Sequence, residues 1–389
     1  MLMVLFHVLF GVVRLLHQNS SEDEFIRTFP EWLNWLWHAQ GSDPLFVMCG
    51  LLVSLSMFKE FDTTQTLRVG SFYKRRLARI MPLFLLALAI YFPTSSHNID
   101  YLVSNLFFAS NYFASQSTIV PVGWSLDLQM QFYILLPLFY IYIFYKTPYK
   151  ISLLVGLIIA TCVWRMWVLY MEPSLYERPF YDAIADRDHG KLLSQTLYYD
   201  LDMRIGSFIM GMLVAALHYY HGGAIRRVFE RYPIVNISVL VSALLLIYFS
   251  VSVPFHNRHS EFYLDFSPFW NFIFLSLTRY GYSLGIAILV FMVLNPFGPS
   301  KFFERIFRSR LLYPFAQLIY PIYLFHFPFM VVAAVCVMGT TDRHSIVHVD
   351  VWQIFAVYGL TALFTAIFAC ILHIYIEKPF IRVVDNRYK

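Results

Sequence analysis

The fold class is decided by the stretch VWQIFAVYGLTALFTAIFACILHIYI, residues 351–376. It contains no Asp, Glu, Lys or Arg, and as a helix it is long enough to cross about 30 Å of hydrocarbon. The whole chain of 389 residues shares this character, with 59% hydrophobic residues, 14% charged residues and a mean hydropathy of +0.59. A typical soluble domain is about 25% charged. The composition therefore predicts an all-α, polytopic membrane bundle and excludes both an intrinsically disordered chain and a soluble nucleic-acid-binding protein.

Hydropathy predicts about ten transmembrane helices within a single transmembrane domain that covers residues 1–389. The connections between them alternate in charge: one set holds 19 Lys and Arg residues and the other set holds six. By the positive-inside rule, this alternation places both termini in the cytoplasm. The predicted spans are 1–17, 43–58, 80–94, 125–145, 150–170, 203–219, 233–253, 268–295, 313–337 and 351–376.

Titratable side chains inside the predicted spans are candidate functional groups, because a charge near the bilayer centre costs a few kcal/mol or more. His7 lies in the apolar segment MLMVLFHVLFGVV and, when neutral, is suited to act as a general base. From position alone, a histidine packed and hydrogen-bonded within the protein is the stronger interpretation. Arg14, Arg165 and Arg204 lie near span ends, where snorkelling to the interface is an equal alternative. Arg279 lies deeper and needs a carboxylate or a substrate as its partner.

A basic cluster, FYKRRLARIMP at residues 72–82, lies at the cytoplasmic edge of the third predicted span. Arg76 and Arg79 are three residues apart and share one face of a helix. Guanidinium groups bind phosphate oxygens in a bidentate manner. From the residues alone, ordinary anchoring at the cytoplasmic membrane surface is the stronger alternative.

The segment GWSLDLQMQFY, residues 123–133, opens the fourth predicted span with unusual polarity. Trp124 marks the membrane interface. Asp127 and Gln131 are four residues apart and share a helix face. One face at the start of this helix is therefore polar, which packing alone does not explain.

Together these segments resemble the acyltransferase 3 family of integral-membrane acyltransferases. That family carries a histidine in its first span, an R-x-x-R pair before its third span and a W-S-L segment that ends in Q-F-Y. It also carries a Y-L-x-H-x-P segment and a closing E-K-P-F. The matching positions here are His7, Arg76 to Arg79, and residues 124–133, 323–328 and 377–380. Because these five motifs occur in the order of the family, a functional role becomes the stronger interpretation for His7 and for the arginine pair.

The resemblance implies transfer of an acyl group, commonly acetyl from acetyl-CoA, to a hydroxyl of a glycan, a lipid or a small molecule. Acyl-CoA is then a donor substrate, and the resemblance implies neither a permanently bound cofactor nor a metal. His7 is the expected base or transient acyl acceptor. Asp127 is expected either to orient His7 or to hold acceptor hydroxyls near the outer mouth. Arg279 or His326 is expected to stabilise the oxyanion. The expected CoA-binding residues are Arg75, Arg76 and Arg79, and the expected substrate-binding residues are Trp124, Gln129, Tyr133, Arg279 and His326.

Two departures from the family pattern lead to different expectations. The family usually has an arginine upstream of the first-span histidine, farther away than the few residues that precede His7 here. This departure predicts a truncated N-terminus or a catalytically impaired member. In the tryptophan segment, the usual acidic position is Gln129, and the acid Asp127 stands two residues earlier. A transporter or flippase is the alternative function, since intramembrane charges are equally expected there.

The predicted location is an integral, multi-pass position in a membrane. In a bacterium this is the plasma (inner) membrane, and in a eukaryote it is an endomembrane or the plasma membrane. The predicted partners are acyl-CoA, the hydroxyl-bearing acceptor and membrane lipids, and no nucleic acid.

Overall fold

A computed structural model describes residues 2–18, 25, 29–30, 33, 36, 41–94, 99–113, 118–178, 187–252 and 267–386. Within these ranges the secondary structure consists of helices and helical turns, without strands. The helices are α1 (Leu2–Gln18), α2 (Ser42–Thr64), α3 (Val69–Tyr91), α4 (Ile99–Leu106), α5 (Ser110–Phe113), α6 (Gly123–Phe139), α7 (Lys150–Met171), α8 (Arg187–Leu197), α9 (Leu201–Arg231), α10 (Pro233–Val251), α11 (Pro268–Leu294), α12 (Ser300–Phe307), α13 (Tyr313–Met338), α14 (Val351–Leu372) and α15 (Lys378–Asn386). Single π turns, Tyr140–Phe144 and His373–Glu377, follow α6 and α14.

Eight helices of the described part of the chain are long and apolar enough to cross a membrane, which makes the chain an integral membrane protein. They are α2, α6 with its π turn, α7, α9, α10, α11, α13 and α14 with its continuation to Val383. These eight correspond to eight of the predicted spans.

The two other predicted spans form helices that do not meet the same criterion. Helix α1 is only 17 residues long, and its apolar part is Met3–Val13. Residues 80–91 form the second half of α3, whose first half carries Lys74 and three arginines. The total of about ten spans and the cytoplasmic termini therefore stay predictions.

The described structure divides into two compact units. Unit 1 consists of Met1–Ala39, Arg68–Leu126 and Arg310–Lys389. Unit 2 consists of Gln40–Leu67 and Asp127–Ser309. Compact units of this kind do not define domains, so the single transmembrane domain over residues 1–389 stays a prediction.

The core of unit 1 is built on one apolar stripe of α1. Its buried members recur at helical spacing and pack against Ala333 of α13 and Ile354 and Val357 of α14. At about 100° per residue, His7 lies on the opposite face of α1 from this stripe, and its ring contacts α13. The stripe residues of α1 are Leu5, Val8, Leu9, Val12 and Leu16.

Unit 2 is held together by unusually close contact between α2 and α9. A Cβ atom at Gly211 of α9 would lie 2.0 Å from the carbonyl oxygen of Val47, and one at Gly50 of α2 would lie 2.1 Å from that of Phe208. Only glycine allows two helix backbones to approach so closely, and small residues drive helix association in membranes. These glycines fix the register of α2 against α9.

Candidate active site

Unit 1 brings two of the predicted site residues into direct contact. The Nδ1 atom of His7 lies 2.8 Å from the Nε2 atom of His326. The His326 side chain is fully buried, whereas His7 is partly buried. Phe327 packs against both imidazole rings. The structure thus pairs histidines from α1 and α13 that are far apart in the sequence.

The hydrogen bonds of this pair determine which nitrogen carries each proton. The Nδ1 atom of His326 lies 2.8 Å from the carbonyl oxygen of Tyr323, and a carbonyl can only accept. Nδ1 of a neutral His326 therefore donates, and its Nε2 accepts from Nδ1–H of His7. The remaining nitrogen of His7, Nε2, is left with its lone pair. A neutral imidazole in this tautomer is suited to accept a proton from a hydroxyl group.

The helix around His326 is shaped by proline. Pro328 has no N–H, so the carbonyl of Leu324, four residues earlier, lacks its usual helical donor. The hydroxyl of Tyr91 donates to that carbonyl over 3.0 Å. Another bond joins the hydroxyl groups of Tyr323 and Ser125. These contacts with α3 and α6 fix the segment of α13 that carries His326.

The predicted CoA-binding arginines lie in the first half of α3, in unit 1. Arg79 is exposed, whereas Arg75 and Arg76 are partly exposed. The Arg76 guanidinium lies over the ring of Phe72, 5.5 Å from its centroid. The expected placement of these residues on a helix is confirmed, and their role toward CoA stays a prediction.

The polar segment at the start of α6 is buried. Trp124 and Asp127 are 7% and 1% exposed. Further along α6, Gln129 donates to the hydroxyl of Tyr133 over 2.5 Å, and the Cys49 thiol donates to the same hydroxyl over 3.2 Å. Asp127, Gln129 and Tyr133 belong to unit 2, and Trp124 belongs to unit 1. The described partner of His7 is His326, so the proposed orientation of His7 by Asp127 stays a prediction.

Arg279, which lies deep in its predicted span, forms an ion pair with the carboxylate of Asp43. Its Nη1 atom lies 3.1 Å from Asp43, and Nη1 of Arg204 lies 3.3 Å from the same carboxylate. Ser207 also donates to Asp43 over 3.1 Å. The centroid of the Tyr198 ring lies 4.7 Å from Cζ of Arg204 and 4.7 Å from Cζ of Arg279. Asp43 and Tyr198 were not predicted as site residues, although the requirement of Arg279 for a carboxylate could have pointed to an acid at the start of a neighbouring span.

Two of the three arginines near span ends do not snorkel, and the side chain of Arg14 lies outside the described part of the structure. Arg165 is 2% exposed and Arg204 is 1% exposed, so the snorkelling alternative is wrong for both. Arg165 donates to the carbonyl of Leu275 over 2.9 Å and to that of Leu197 over 3.0 Å. These two guanidinium groups therefore do not need to reach water, because buried acceptors in unit 2 bind them: backbone carbonyls for Arg165 and the Asp43 carboxylate for Arg204.

The fold and the histidine pair define a helical membrane protein with a partly buried, base-competent imidazole among its helices. The sequence model of the acyltransferase 3 family, an acyltransferase domain, matches residues 1–375. The chain belongs to this family.

Curated relatives share the family but are longer. The chain is 24% identical over 362 residues to a protein of Staphylococcus aureus strain COL that carries the provisional name O-acetyltransferase, with 87% of this chain and 52% of that protein aligned. It is equally 24% identical to the peptidoglycan O-acetyltransferase OatA of Listeria monocytogenes, with 87% of this chain and 50% of OatA aligned. The chain thus spans about half the length of these relatives. No solved structure matches it.

Proposed function

We propose that this chain is a membrane O-acetyltransferase module that moves an acetyl group from acetyl-CoA to a hydroxyl of a glycan. The hydrogen-bonded pair of His7 and His326 is the observation that carries the proposal. The family and the names of the O-acetyltransferase relatives support the reaction class. Acetyl-CoA as the donor rests on the arginines of α3 and on the family resemblance.

His7 is the proposed general base. Its Nε2 removes the proton from the acceptor hydroxyl as the hydroxyl oxygen attacks the thioester carbonyl carbon. The new C–O bond forms, the C–S bond breaks, and CoA leaves as a thiolate that takes the proton back from His7. The overall products are the acetyl ester and CoA-SH.

His326 acts in this scheme as a positioning residue rather than as the predicted oxyanion donor. Both of its ring nitrogens are engaged within the protein, and its side chain is fully buried. It holds His7 in the tautomer that leaves Nε2 free to act as a base, and it stabilises the imidazolium that forms during the reaction.

The donor is proposed to bind through Arg75, Arg76 and Arg79 of α3. CoA carries several phosphate groups, and guanidinium forks bind phosphate with charge-assisted hydrogen bonds. The charge alternation of the connections predicts that this end of α3 lies at the cytoplasmic face, where CoA is available. The contacts of Trp124, Gln129, Tyr133 and Arg279 with the acceptor stay predictions.

The acceptor is proposed to be a glycan hydroxyl, because one relative is named as a peptidoglycan O-acetyltransferase. The relatives are bacterial proteins, which favours the plasma membrane of a bacterium as the location. Membrane lipids surround the eight apolar helices.

The reaction is tested with the purified chain in lipid nanodiscs, radiolabelled acetyl-CoA and a chitooligosaccharide acceptor. The variants His7→Gln and His326→Leu are each expected to lower kcat by about 10²–10⁴-fold, the usual contribution of general acid–base catalysis. For His326→Leu, KM for acetyl-CoA is expected to remain unchanged, because His326 touches His7 and not the donor. His344→Gln is the control, since His344 is exposed and lies in a 3-10 turn between spans. Full activity of His7→Gln, or acceptor movement without acetylation, would contradict the proposal.

Donor binding is tested separately by comparing CoA with dephospho-CoA, which lacks one phosphate. The wild-type chain is expected to bind CoA at least 10-fold more tightly, since each charge-assisted contact contributes about 1.5–3 kcal/mol. In Arg76→Gln or Arg79→Gln this preference is expected to shrink, whereas Arg226→Gln, a variant of an exposed arginine paired with Glu230, is expected to keep it. Equal binding of both compounds by the wild type would remove the proposed role of the arginines.

A further inference from the structure

Unit 2 contains a buried group of side chains with more positive than negative charge. We call the group of Arg165, Arg204, Arg279 and Asp43 the arginine cluster. Guanidinium groups are always charged in proteins. Asp43 is the carboxylate in direct ion pairs with Arg204 and Arg279, whereas the hydrogen bonds of Arg165 within the described residues go to neutral carbonyls. These four side chains carry three positive charges and one negative charge.

An excess of buried positive charge is costly. Buried charges in proteins are normally paired or bound to an ion, because each unpaired one costs several kcal/mol. Arg204 lies in the first turn of α9, where the positive end of the helix dipole makes a cation less favourable still. The electrostatic potential of the cluster therefore favours an anion.

Arg279 is the member of the cluster that a ligand can reach. Its side chain is 18% exposed, whereas Arg204 and Asp43 are almost completely buried. Within the described residues, its hydrogen bond to Asp43 uses one N–H of Nη1 and leaves the other donors of the fork for another acceptor. The Tyr198 ring, 4.7 Å from the guanidinium carbons of both Arg204 and Arg279, holds Arg279 in place.

We propose that the arginine cluster is a binding site for a phosphate group, with Arg279 as the direct contact. A phosphate monoester carries a charge of about −1.5 to −2 near pH 7, which matches the excess of the cluster better than the single charge of a carboxylate. The planar guanidinium fork matches two phosphate oxygens. This site lies entirely within unit 2 and does not depend on acetyl transfer.

The proposal is tested by thermal unfolding of the purified full chain in detergent with inorganic phosphate as the probe. The wild type is expected to gain in Tm as phosphate rises, because an anion that binds only the folded state stabilises it. Potassium chloride at matched ionic strength and sodium acetate are the anion controls. Arg279→Gln is expected to lower the phosphate affinity at least 10-fold, and Arg226→Gln, at an exposed position in unit 2, is expected to keep it.

The source of the phosphate is distinguished with mixed micelles. Phosphatidic acid is compared with diacylglycerol, which lacks the phosphate. A larger Tm gain with phosphatidic acid than with inorganic phosphate supports a lipid headgroup, and the reverse supports a free phosphate compound. If Arg279→Gln does not fold, Arg279→Lys keeps the charge but not the fork, and it is expected to show the same loss of affinity.

Three outcomes overturn the proposal. They are no gain in Tm with either form of phosphate, an equal gain with acetate, and an unchanged phosphate response in the folded Arg279 variant. Because none of these readouts involves acetyl transfer, they are independent of the test of the proposed enzymatic function.

Discussion

The histidine pair of unit 1 and the arginine cluster of unit 2 place polar side chains among apolar helices in two different ways. In the neutral state of His7 and His326, their hydrogen bonds form a chain that ends on the carbonyl of Tyr323. The arginine cluster keeps its charges and shares the carboxylate of Asp43 between two guanidinium groups. A neutral pair can exchange a proton with a substrate, whereas a charged cluster supports the fold and attracts an anion.

Removing the shared carboxylate is expected to have the largest effect. Asp43→Asn leaves the buried guanidinium groups of Arg204 and Arg279 without their ion pair, and breaking a buried pair costs about 3–5 kcal/mol. We expect a clear fall in Tm in detergent, without a direct effect on the histidine pair. Glu230→Gln is the control, because the pair of Glu230 with Arg226 is exposed and exposed pairs contribute about 0.2–1 kcal/mol. Equal falls in Tm for both variants would show that the cluster does not support the fold.

The close approach of α2 and α9 brings Asp43 beside Arg204 in the arginine cluster. Substitutions at two glycines of α9 test whether the helices are in contact. A Cβ atom at Gly211 would meet the Val47 carbonyl, whereas one at Gly223 would meet no atom within 4 Å. Gly211→Ala is expected to destabilise unit 2 by about 1–3 kcal/mol, the usual cost of overpacking. Gly223→Ala is expected to be neutral or stabilising, because alanine favours the helix. Unfolding in a denaturant series measures both, and a neutral Gly211→Ala variant would mean that the helices do not touch there.

The geometry around His326 is tested by a double-mutant cycle that involves the Leu324 carbonyl, which lacks a helical N–H donor because residue 328 is proline. Tyr91→Phe removes the donor to the Leu324 carbonyl and is expected to cost about 1–3 kcal/mol, the cost of an unsatisfied buried acceptor. In a Pro328→Ala background the backbone N–H of residue 328 returns, so the same change is expected to cost much less. Additive effects of the two substitutions would show that Tyr91 does not compensate for Pro328.

The smallest expected effect concerns Asp200, which precedes α9 and lies outside the membrane-spanning helices. Burial, with a smaller contribution from Asp202, raises the pKa of Asp200 to about 6 from its ordinary value of 3.8. The folded state therefore binds this proton more tightly, and stability falls as the pH rises from about 4 through 6. Asp200→Asn is expected to match the wild type in Tm near pH 4 and to exceed it above pH 6. A difference in Tm that stays constant over this range would exclude Asp200 as the cause.

Some site residues could be predicted because their chemistry is visible along the chain. His7 and His326 stand out as titratable residues in apolar runs, and the arginines of α3 stand out as a cluster near the start of their helix. The contact between His7 and His326 could not be predicted, because it joins helices that are distant in sequence. Asp43 could not be predicted either, because its role depends on contacts with Arg204 and Arg279, which are distant in sequence. Its position at the edge of its span also did not mark it as a charge within the membrane.

Hydropathy along the chain is enough to identify a helical membrane protein, because apolar runs of spanning length with few charges leave no other stable class. Which polar groups meet depends on how the helices pack in three dimensions. Hydropathy and charge are properties of single segments, whereas the partner of a buried side chain depends on the register in which helices pack. The glycines that bring α2 against α9 and the proline that shapes α13 set that register, and through it they place Asp43 beside Arg204 and His7 beside His326.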